Sequence, residues 1–359
     1  MLKFDEQKAV DSVNGALALR AEIERITDEI WSSGFDGIYW LGIGGTWASC
    51  LQAEVFMKER SVLPVYVEQA AEFLTTGNKR FTDRSVVIFS SVTGSTKEMQ
   101  EAVEKAHKIG ARVFGFIDKK DAPLVKLCDW CISYPVNEQL KFYMAASRLM
   151  YLNGEFPEYE DYWNNMDAYL ADALAQVEIK ADAWAADYAE KKYEYVKKHP
   201  EMPHYFIGSG NQWGATYSYA MCYWEEQLWI RTKSISCGEF FHGTLEVMDA
   251  ETPVTLFLGE DAQRPLAERV KNFLPRVCRN YTLIDTKDYE LKGIKEKYRG
   301  TISHLVMHGV NNRVDAHMEA AFCHPMDIRR YYRQWDLSLI HIFTPDWLPG
   351  VFSGLIFWN

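Results

Sequence analysis

No apolar run in this chain approaches the roughly 18 uninterrupted residues that a membrane-crossing helix needs, so no span and no membrane partner are expected. Positive charge is also in short supply. Against 50 aspartates and glutamates stand 39 lysines and arginines, a net charge of −11, which makes nucleic acid and anionic lipid surfaces poor general partners. The opening residues, MLKFDEQKAVDSV, bring acids early and no apolar stretch, so no secretory signal is expected. Seven cysteines, an odd number scattered along 359 residues, argue against a disulfide framework and for a reducing, cytoplasmic setting. Cys128 and Cys131 form one CxxC with no second pair at metal-ligand spacing. They are expected as small, half-buried residues near a strand, and neither a metal nor any other cofactor is called for.

What the chain does have is apolar material, 48%, enough for a large core, in a length that suits two domains. Its most informative stretch is Ser90–Glu98, SSVTGSTKE. The preceding Ser85-Val86-Val87-Ile88-Phe89 reads as a buried strand. After it, Met99, Ala102, Val103 and Ala106 recur at the spacing of one helix face. Between them lie Ser91, Thr93, Ser95 and Thr96, with Gly94 allowing a tight turn. Such a junction offers backbone N–H groups, hydroxyl donors and the positive end of a helix dipole, which together suit a phosphate. The same residues suit an ordinary helix N-cap, so the loop alone leaves both readings open. No lysine directly follows Gly94, as it does in a nucleotide-binding P-loop, and a small-molecule sugar phosphate is the guest expected.

The strand–glycine–helix unit occurs more than once. Residues 5–31 read as one amphipathic helix, and Ile38–Leu41 as a strand leading into GIGGTWAS, Gly42–Ser49. The spacing is not the GxGxxG of a dinucleotide site. Strands at Pro64–Glu68, Arg112–Ile117 and Trp130–Tyr134 alternate with helical stretches, which implies a parallel sheet covered on both faces and ligands beyond the carboxyl ends of its strands. GEFPEYEDY, Gly154–Tyr162, reads as a linker before a long helix to about Lys198. His204–Ile207 and Gly208-Ser209-Gly210 then restart the pattern, with further strands at Val254–Leu258, Tyr281–Asp285 and Ser303–His308. The expected organisation is a duplicated α/β chain: residues 1–160 an N-terminal helix and first domain, residues 161–336 a second domain. The copy is unequal. After Val254–Leu258 comes GEDAQRP, without a serine or threonine. Past Asp336 the chain turns apolar and aromatic, and Leu337–Ile342, LSLIHI, matches the translation of a common sequencing-adapter end, so residues 337–359 are expected to be read-through.

The GxGGT turn, the SxTGxT loop and the two glycine-opened halves resemble the sugar isomerase (SIS) domain family, from about residue 30 to 336. The resemblance implies two tandem SIS domains, each a parallel five-stranded sheet in a three-layer αβα, flavodoxin-like arrangement. Against the isomerase part of glucosamine-6-phosphate synthase, Ser91, Thr93 and Thr96 fall on the hydroxyls that hold the sugar phosphate, and Gly45 and Thr46 on the neighbouring turn. Trp47 replaces a serine there. The sharper match is Cys222–Gly243, CYWEEQLWIRTKSISCGEFFHG. Glu226 and His242, 16 residues apart, fall on a catalytic glutamate and histidine, with Glu239 keeping the first acid of the GExxHG turn. Tyr219 and Tyr223 stand where the synthase has an acid and a lysine, which implies a different substituent near the sugar nitrogen or C2. With Met1-Leu2 in place of a nucleophilic cysteine, glutamine-dependent ammonia production is not expected.

The combination is most similar to the fructosamine-6-phosphate deglycases. That implies hydrolysis of an Amadori sugar phosphate to glucose 6-phosphate and a free amine, with Glu226 moving the carbon-bound proton and His242 serving ring opening and proton relay. Alternatives on the same chassis are an aldose–ketose isomerase, a glucosamine-6-phosphate deaminase-like enzyme, or a sugar-phosphate-binding protein without turnover. The resemblance also implies a homodimer or higher homo-oligomer with the site at its interface. His304, His308, His317 and His324 are expected on different elements in core or surface roles, with His317 reaching the active site as the alternative.

Overall fold

Every residue of Ser85–Ser91 is buried, and the strand they form is the middle of a parallel sheet. The computed structural model describes residues 1–332 and residue 334; the read-through expected at residues 337–359 lies outside them. The first half runs α1 (Glu6–Leu17), α2 (Arg20–Ser32), β1 (Gly37–Gly42), α3 (Gly45–Lys58), β2 (Val65–Gln69), α4 (Ala70–Thr75), β3 (Ser85–Ser91), α5 (Lys97–Ile109), β4 (Arg112–Ile117), β5 (Trp130–Ile132) and α6 (Glu138–Leu152). Its five strands are all parallel, in the order β2-β1-β3-β4-β5. Strand order reverses between β1 and β3, so the crevice beyond their carboxyl ends is where such a sheet takes a ligand. The helix expected over residues 5–31 is broken at Ala18–Leu19 into α1 and α2, with the Asp5 carboxylate capping α1 by accepting from Lys8 N at 3.1 Å. Cys128 and Cys131 are half-buried free thiols, the latter in β5.

The second half follows as α7 (Tyr159–Lys198), β6 (His204–Gly208), α8 (Asn211–Ser218), β7 (Thr232–Ser236), α9 (Cys237–Phe240), β8 (Val254–Leu258), α10 (Arg264–Phe273), β9 (Tyr281–Asp285) and α11 (Glu296–Phe322). Its sheet is also parallel but has four strands, in the order β7-β6-β8-β9. β7 is not among the strands expected, and the strand expected at Ser303–His308 is the interior of α11, where His304 and His308 stand one turn apart. The reason is burial on every side. Ile302 through Met307 are all buried, so the helix shows no polar stripe, and a short apolar run cannot be told from a buried strand by pattern alone.

The two α/β halves share one core. Trp40, Phe142 and Met150 of the first half, Trp163, Val177 and Ala185 of α7, and Phe206, Trp224 and Val306 of the second belong to a single buried cluster. GEFPEYEDY is part of it rather than a free tether, since Phe156, Tyr159 and Tyr162 are buried and α7 has begun by Tyr159. Close approach of α3 and α8 fastens the halves. A Cβ at Gly214 would stand 2.3 Å from the Ala48 carbonyl oxygen, so only glycine lets the two backbones meet. Trp47 packs edge-on against Tyr217, ring centroids 5.2 Å apart, and so braces the two halves. Beyond α8 the helix widens into a π-helical stretch, Tyr219–Glu225, with Glu226 N–H reaching back five residues to Met221 O at 2.9 Å. Such widened turns recur at functional sites. Among the described residues no helix is long and apolar enough to cross a membrane.

Candidate active site

β3 carries Ser91 to the carboxyl edge of the first sheet, and the chain then turns at Gly94 with φ +61°. A Cβ there would lie 2.3 Å from the Ala122 Cβ, so the turn admits only glycine. Ser91 Oγ accepts from Gly94 N at 2.9 Å, and Thr93 Oγ1 accepts from Ser95 N at 3.4 Å. A hydroxyl that accepts from the backbone keeps its own proton to donate, so both are held in place as donors. Thr96 stands at the N-cap of α5 in an extended conformation but makes no side-chain bond to the helix. The capping reading of this loop therefore does not account for its hydroxyl. Next door, where β1 passes into α3, Gly44 has φ +59° and nothing within 4 Å of where its Cβ would be. Thr46 serves this turn from inside: its hydroxyl accepts from Ile43 N at 3.2 Å and donates to Ile43 O at 3.0 Å, which commits its proton.

The equivalent junction in the second half is closed. Gly210 adopts φ +62°, the conformation of Gly44, before α8. Here Asp261 Oδ2 accepts from Asn211 N at 2.8 Å and Gln263 Oε1 accepts from Gly210 N at 3.1 Å. A Cβ on Gly210 would stand 2.2 Å from that carboxylate. The hydroxyl-free loop GEDAQRP thus supplies an internal anion to a helix N-terminus, the position where a ligand anion binds in other proteins. One cradle is filled by the chain itself; the other is open.

Beneath the open cradle lies a polar cluster that no motif announced. Glu138, the first residue of α6, accepts from Ser90 Oγ at 2.8 Å and from Ser49 Oγ on α3 at 2.5 Å. Burial pushes its carboxyl up, and the two hydroxyl bonds pull it back. One turn on, the fully buried Lys141 donates Nζ to Tyr134 O at 2.7 Å, with Asp118 Oδ1 3.7 Å away; burial pushes this ammonium down. Val136 (φ +55°) and Asn137 (φ +53°) precede Glu138 in the left-handed region. For a β-branched residue that is an outlier, a strain of about 1–3 kcal/mol per residue. The corner is pinned by Asn137 Nδ2 donating to Ser12 Oγ of α1 at 2.9 Å and by Val136 N to Asp118 Oδ2 at 3.3 Å.

The helix from the second half closes over the turn at Gly45, whose Cβ would sit 3.5 Å from Ser218 Oγ and 3.7 Å from Cys222 Sγ. One turn beyond Cys222 is Glu226, half-buried, with Oε1 accepting from Arg329 Nε at 2.8 Å and Oε2 without a bond among the described residues. Arg329 is held in turn by Met326 O at 2.7 Å and Ile328 O at 2.8 Å. With Trp229, Arg330 and Tyr331 they line a cavity of about 580 Å³. Arg329 is a residue the sequence reading missed; it follows α11 in a segment without periodicity or motif. Tyr219 hydrogen-bonds the buried Asp315 at 2.9 Å, and burial pushes that carboxyl up to about 8. Tyr223 points its hydroxyl at no partner among the described residues, and burial pushes its phenol up. His242 stands apart. It is exposed after α9, its N–H bonded to Glu239 O at 2.9 Å, and no hydrogen bond joins its ring to Glu226 or to anything else among the described residues. Glu239 is exposed as well, its N–H taken by Ser236 Oγ at 3.3 Å. The structure thus gathers Gly45, Thr46, Ser91, Thr93 and Thr96 at the carboxyl ends of β1 and β3, under the helix that carries Tyr223 and Glu226.

A family model described as the SIS domain matches residues 35–152, from the approach to β1 through α6. The first α/β half thus matches the SIS domain. The chain is 25% identical over 314 residues to a fructosamine deglycase of Bacillus subtilis, covering 86% of this chain and 95% of that one. It is 24% identical over 271 residues to a fructoselysine 6-phosphate deglycase of Escherichia coli K12, covering 73% and 77%. A solved Bacillus subtilis protein described as a candidate phosphosugar isomerase superposes with a TM-score of 0.78 at 24% identity, over 91% of this chain and 99% of that one. The resemblance to the SIS family and its deglycases is met by the family model and by the names of the two relatives, and the solved structure agrees in fold.

If the open cradle is the anion site, Ser91→Ala and Thr93→Ala each remove one hydrogen bond to a charged group, about 1.5–3 kcal/mol, or roughly tenfold or more in affinity for glucose 6-phosphate. Calorimetric titration checks this. An equal loss for unphosphorylated glucose would contradict the assignment.

Proposed function

We propose that this protein is a deglycase that hydrolyses a 6-phosphofructosamine to glucose 6-phosphate and a free amine. The observation that carries the reading is the unequal pair of helix N-termini. The second half's is occupied by Asp261, while the first half's is open beneath the helix bearing Glu226. A single phosphate handle with a carboxylate one helical turn from its turn residues suits proton transfer on a sugar phosphate. The names of the two deglycase relatives favour an amine-bearing sugar over a plain one.

In this account Ser91, Thr93, Thr96 and the adjoining backbone N–H groups hold the 6-phosphate, leaving C1 and C2 to the second half. Ring opening passes a proton to the ring oxygen and exposes the C2 carbonyl, a role assigned to His242. Glu226 then removes a proton from C1; the C–H electron pair forms the C1–C2 double bond of an enolamine as the C2 carbonyl π pair moves to its oxygen, which takes up a proton. Return of a proton to C2 leaves an imine between C1 and nitrogen. Water adds at C1, the amine departs, and the aldehyde of glucose 6-phosphate remains. Arg329 fixes one carboxylate oxygen of Glu226 and leaves the other to meet the substrate. Because His242 is exposed and bonded to nothing beyond its own turn, we assign it to the site of a second copy of the chain, so that each complete site uses Glu226 from one copy and His242 from the other.

Incubation with a panel of 6-phosphofructosamines is expected to release glucose 6-phosphate, and Glu226→Gln to lower that rate by at least about 10³-fold while sugar-phosphate binding persists. Conversion of plain fructose 6-phosphate with silence across the panel would establish an isomerase instead. The shared site is tested by mixing. Glu226→Gln and His242→Ala homomers should each be inactive, and subunit exchange between them should restore roughly a quarter of the wild-type rate, the share expected if half of the copies pair as mixed dimers with one intact site. No recovery despite exchange would contradict a composite site.

A further inference from the structure

The first sheet ends on an edge strand of three residues, β5, which pairs only with β4. Cys128 stands just before it and Cys131 within it, and neither enters the proposed reaction. The chain between them bends at Asp129, whose N–H donates to Val113 O at 3.0 Å and whose Oδ2 accepts from Val113 N at 2.7 Å. That double tie to β4 turns Cys128 back toward Cys131. In the register of the two strands Gly115 lies opposite Cys131, and register partners project from the same face of a sheet. A Cβ at Gly115 would stand 2.6 Å from Cys128 Sγ. The Cys128 sulfur therefore occupies the place of the missing side chain, next to Cys131, and only glycine clears that place.

The two thiols are unequal. The one proton on Cys128 has two acceptors in reach, Leu124 O at 3.2 Å and the Cys131 sulfur. Its bond to Cys131 pulls that thiol below the ordinary value; Ser133 and the Lys141 ammonium act the same way, and burial opposes them. As the donor of that bond, and by its own burial, Cys128 is pushed up. The thiolate is the attacking form of cysteine, so Cys131 is the nucleophile and Cys128 the reserve. Both are half-buried, within reach of a small solute, whereas Cys50, Cys237 and Cys278 are buried. Among the described residues no group of three or more histidine, cysteine, aspartate or glutamate side chains is placed to hold a metal ion.

The pair also stands at the root of the segment that supports the cradle. Three residues past Cys131, Tyr134 O accepts from Lys141 Nζ at 2.7 Å. The strained corner Val136–Asn137 follows, and then Glu138, which holds Ser90 and Ser49 under the cradle. We propose that Cys128 and Cys131 are a redox pair that closes into a disulfide on meeting a low-molecular-weight disulfide, and that closure loosens the corner under the cradle. The Cys131 thiolate attacks one sulfur of the oxidant, whose S–S bond breaks and releases one thiolate. Cys128 gives its proton to water and attacks the Cys131 sulfur of the mixed disulfide, expelling the second thiolate. Two protein thiols lose two electrons, and the oxidant gains them as two thiols. The new bond removes the charge that Lys141 meets at Cys131 and draws the two sulfurs together at the start of β5, a strand held by only three residues of pairing. The inference goes beyond the deglycase reading and does not rest on it.

The probe is glutathione disulfide, added to the full chain carrying Cys323→Ser, which removes the exposed thiol. Peptide mass mapping is expected to find Cys128 and Cys131 joined, with two hydrogens lost, and dithiothreitol to reverse the change. Cys128→Ser should retain glutathione on Cys131, since nothing is left to expel it. Cys131→Ser should take up at least about tenfold less on Cys128. Hydrogen exchange of the backbone amides at residues 133–138 is expected to quicken at least about threefold on oxidation, and not in Cys131→Ser. The inference is overturned if the two cysteines do not join, if the two serine variants take up glutathione equally, or if oxidation leaves exchange at residues 133–138 unchanged. Affinity for glucose 6-phosphate separates the pair from the cradle: faster exchange with weakened binding upholds both, and faster exchange with unchanged binding upholds the pair and contradicts the cradle as the anion site.

Discussion

The arrangement of this molecule depends on how it treats two helix N-termini that the fold makes alike. Each half brings a strand, a left-handed glycine and a helix start to the carboxyl edge of its sheet, and each helix start presents backbone N–H groups that require an anion or another acceptor. In the second half the chain answers the demand itself, with Asp261 seated on Asn211 N and Gln263 on Gly210 N. In the first half no side chain approaches the corresponding glycine, and hydroxyls gather beside it. An internal carboxylate in one place and open space in the other is where the two halves of a duplicated fold differ most plainly.

The rest of the site follows from holding that opening against the opposite half. Gly214 lets α3 and α8 touch backbone to backbone, which sets Cys222 over the Gly45 turn and places Glu226 one turn further. The π-helical stretch before Glu226 adds a residue to the turn and so changes the direction in which the carboxylate leaves the helix. On the other side, Glu138 ties the base of β3 to α3 through Ser90 and Ser49, while the corner before it is held in a strained conformation by α1. Strain of this kind persists only where neighbours over-determine it, and here they do so at the cradle's edge.

Local features of this architecture were legible in the residues; relations across the chain were not. The SSVTGSTKE loop, its glycine and the helix after it could be read because all lie within a few positions of one another. The unequal copy could be read too, since GEDAQRP visibly lacks hydroxyls, but not that Asp261 would occupy the vacant role, because that contact reaches back 50 residues to Asn211. The Ser49–Glu138 bond spans 89 residues and the Arg329–Glu226 pair 103, and neither leaves a local signature. Ser303–His308 misled because burial of Ile302–Met307 on every side erases the periodicity that separates helix from strand. The regular spacing of Glu226 and His242 along the chain said nothing of their placement in space, where one lines a cavity and the other faces solvent.

The most direct test of the central claim is a crystal structure of the protein with glucose 6-phosphate. The account predicts the phosphate within hydrogen-bond distance of Ser91, Thr93 and Thr96, over the Gly44 turn, with the Asp261 carboxylate still on the N-terminus of α8 and no anion there. Phosphate bound in the second half in place of Asp261, or a sugar held with its phosphate away from the Ser91–Thr96 loop, would contradict it.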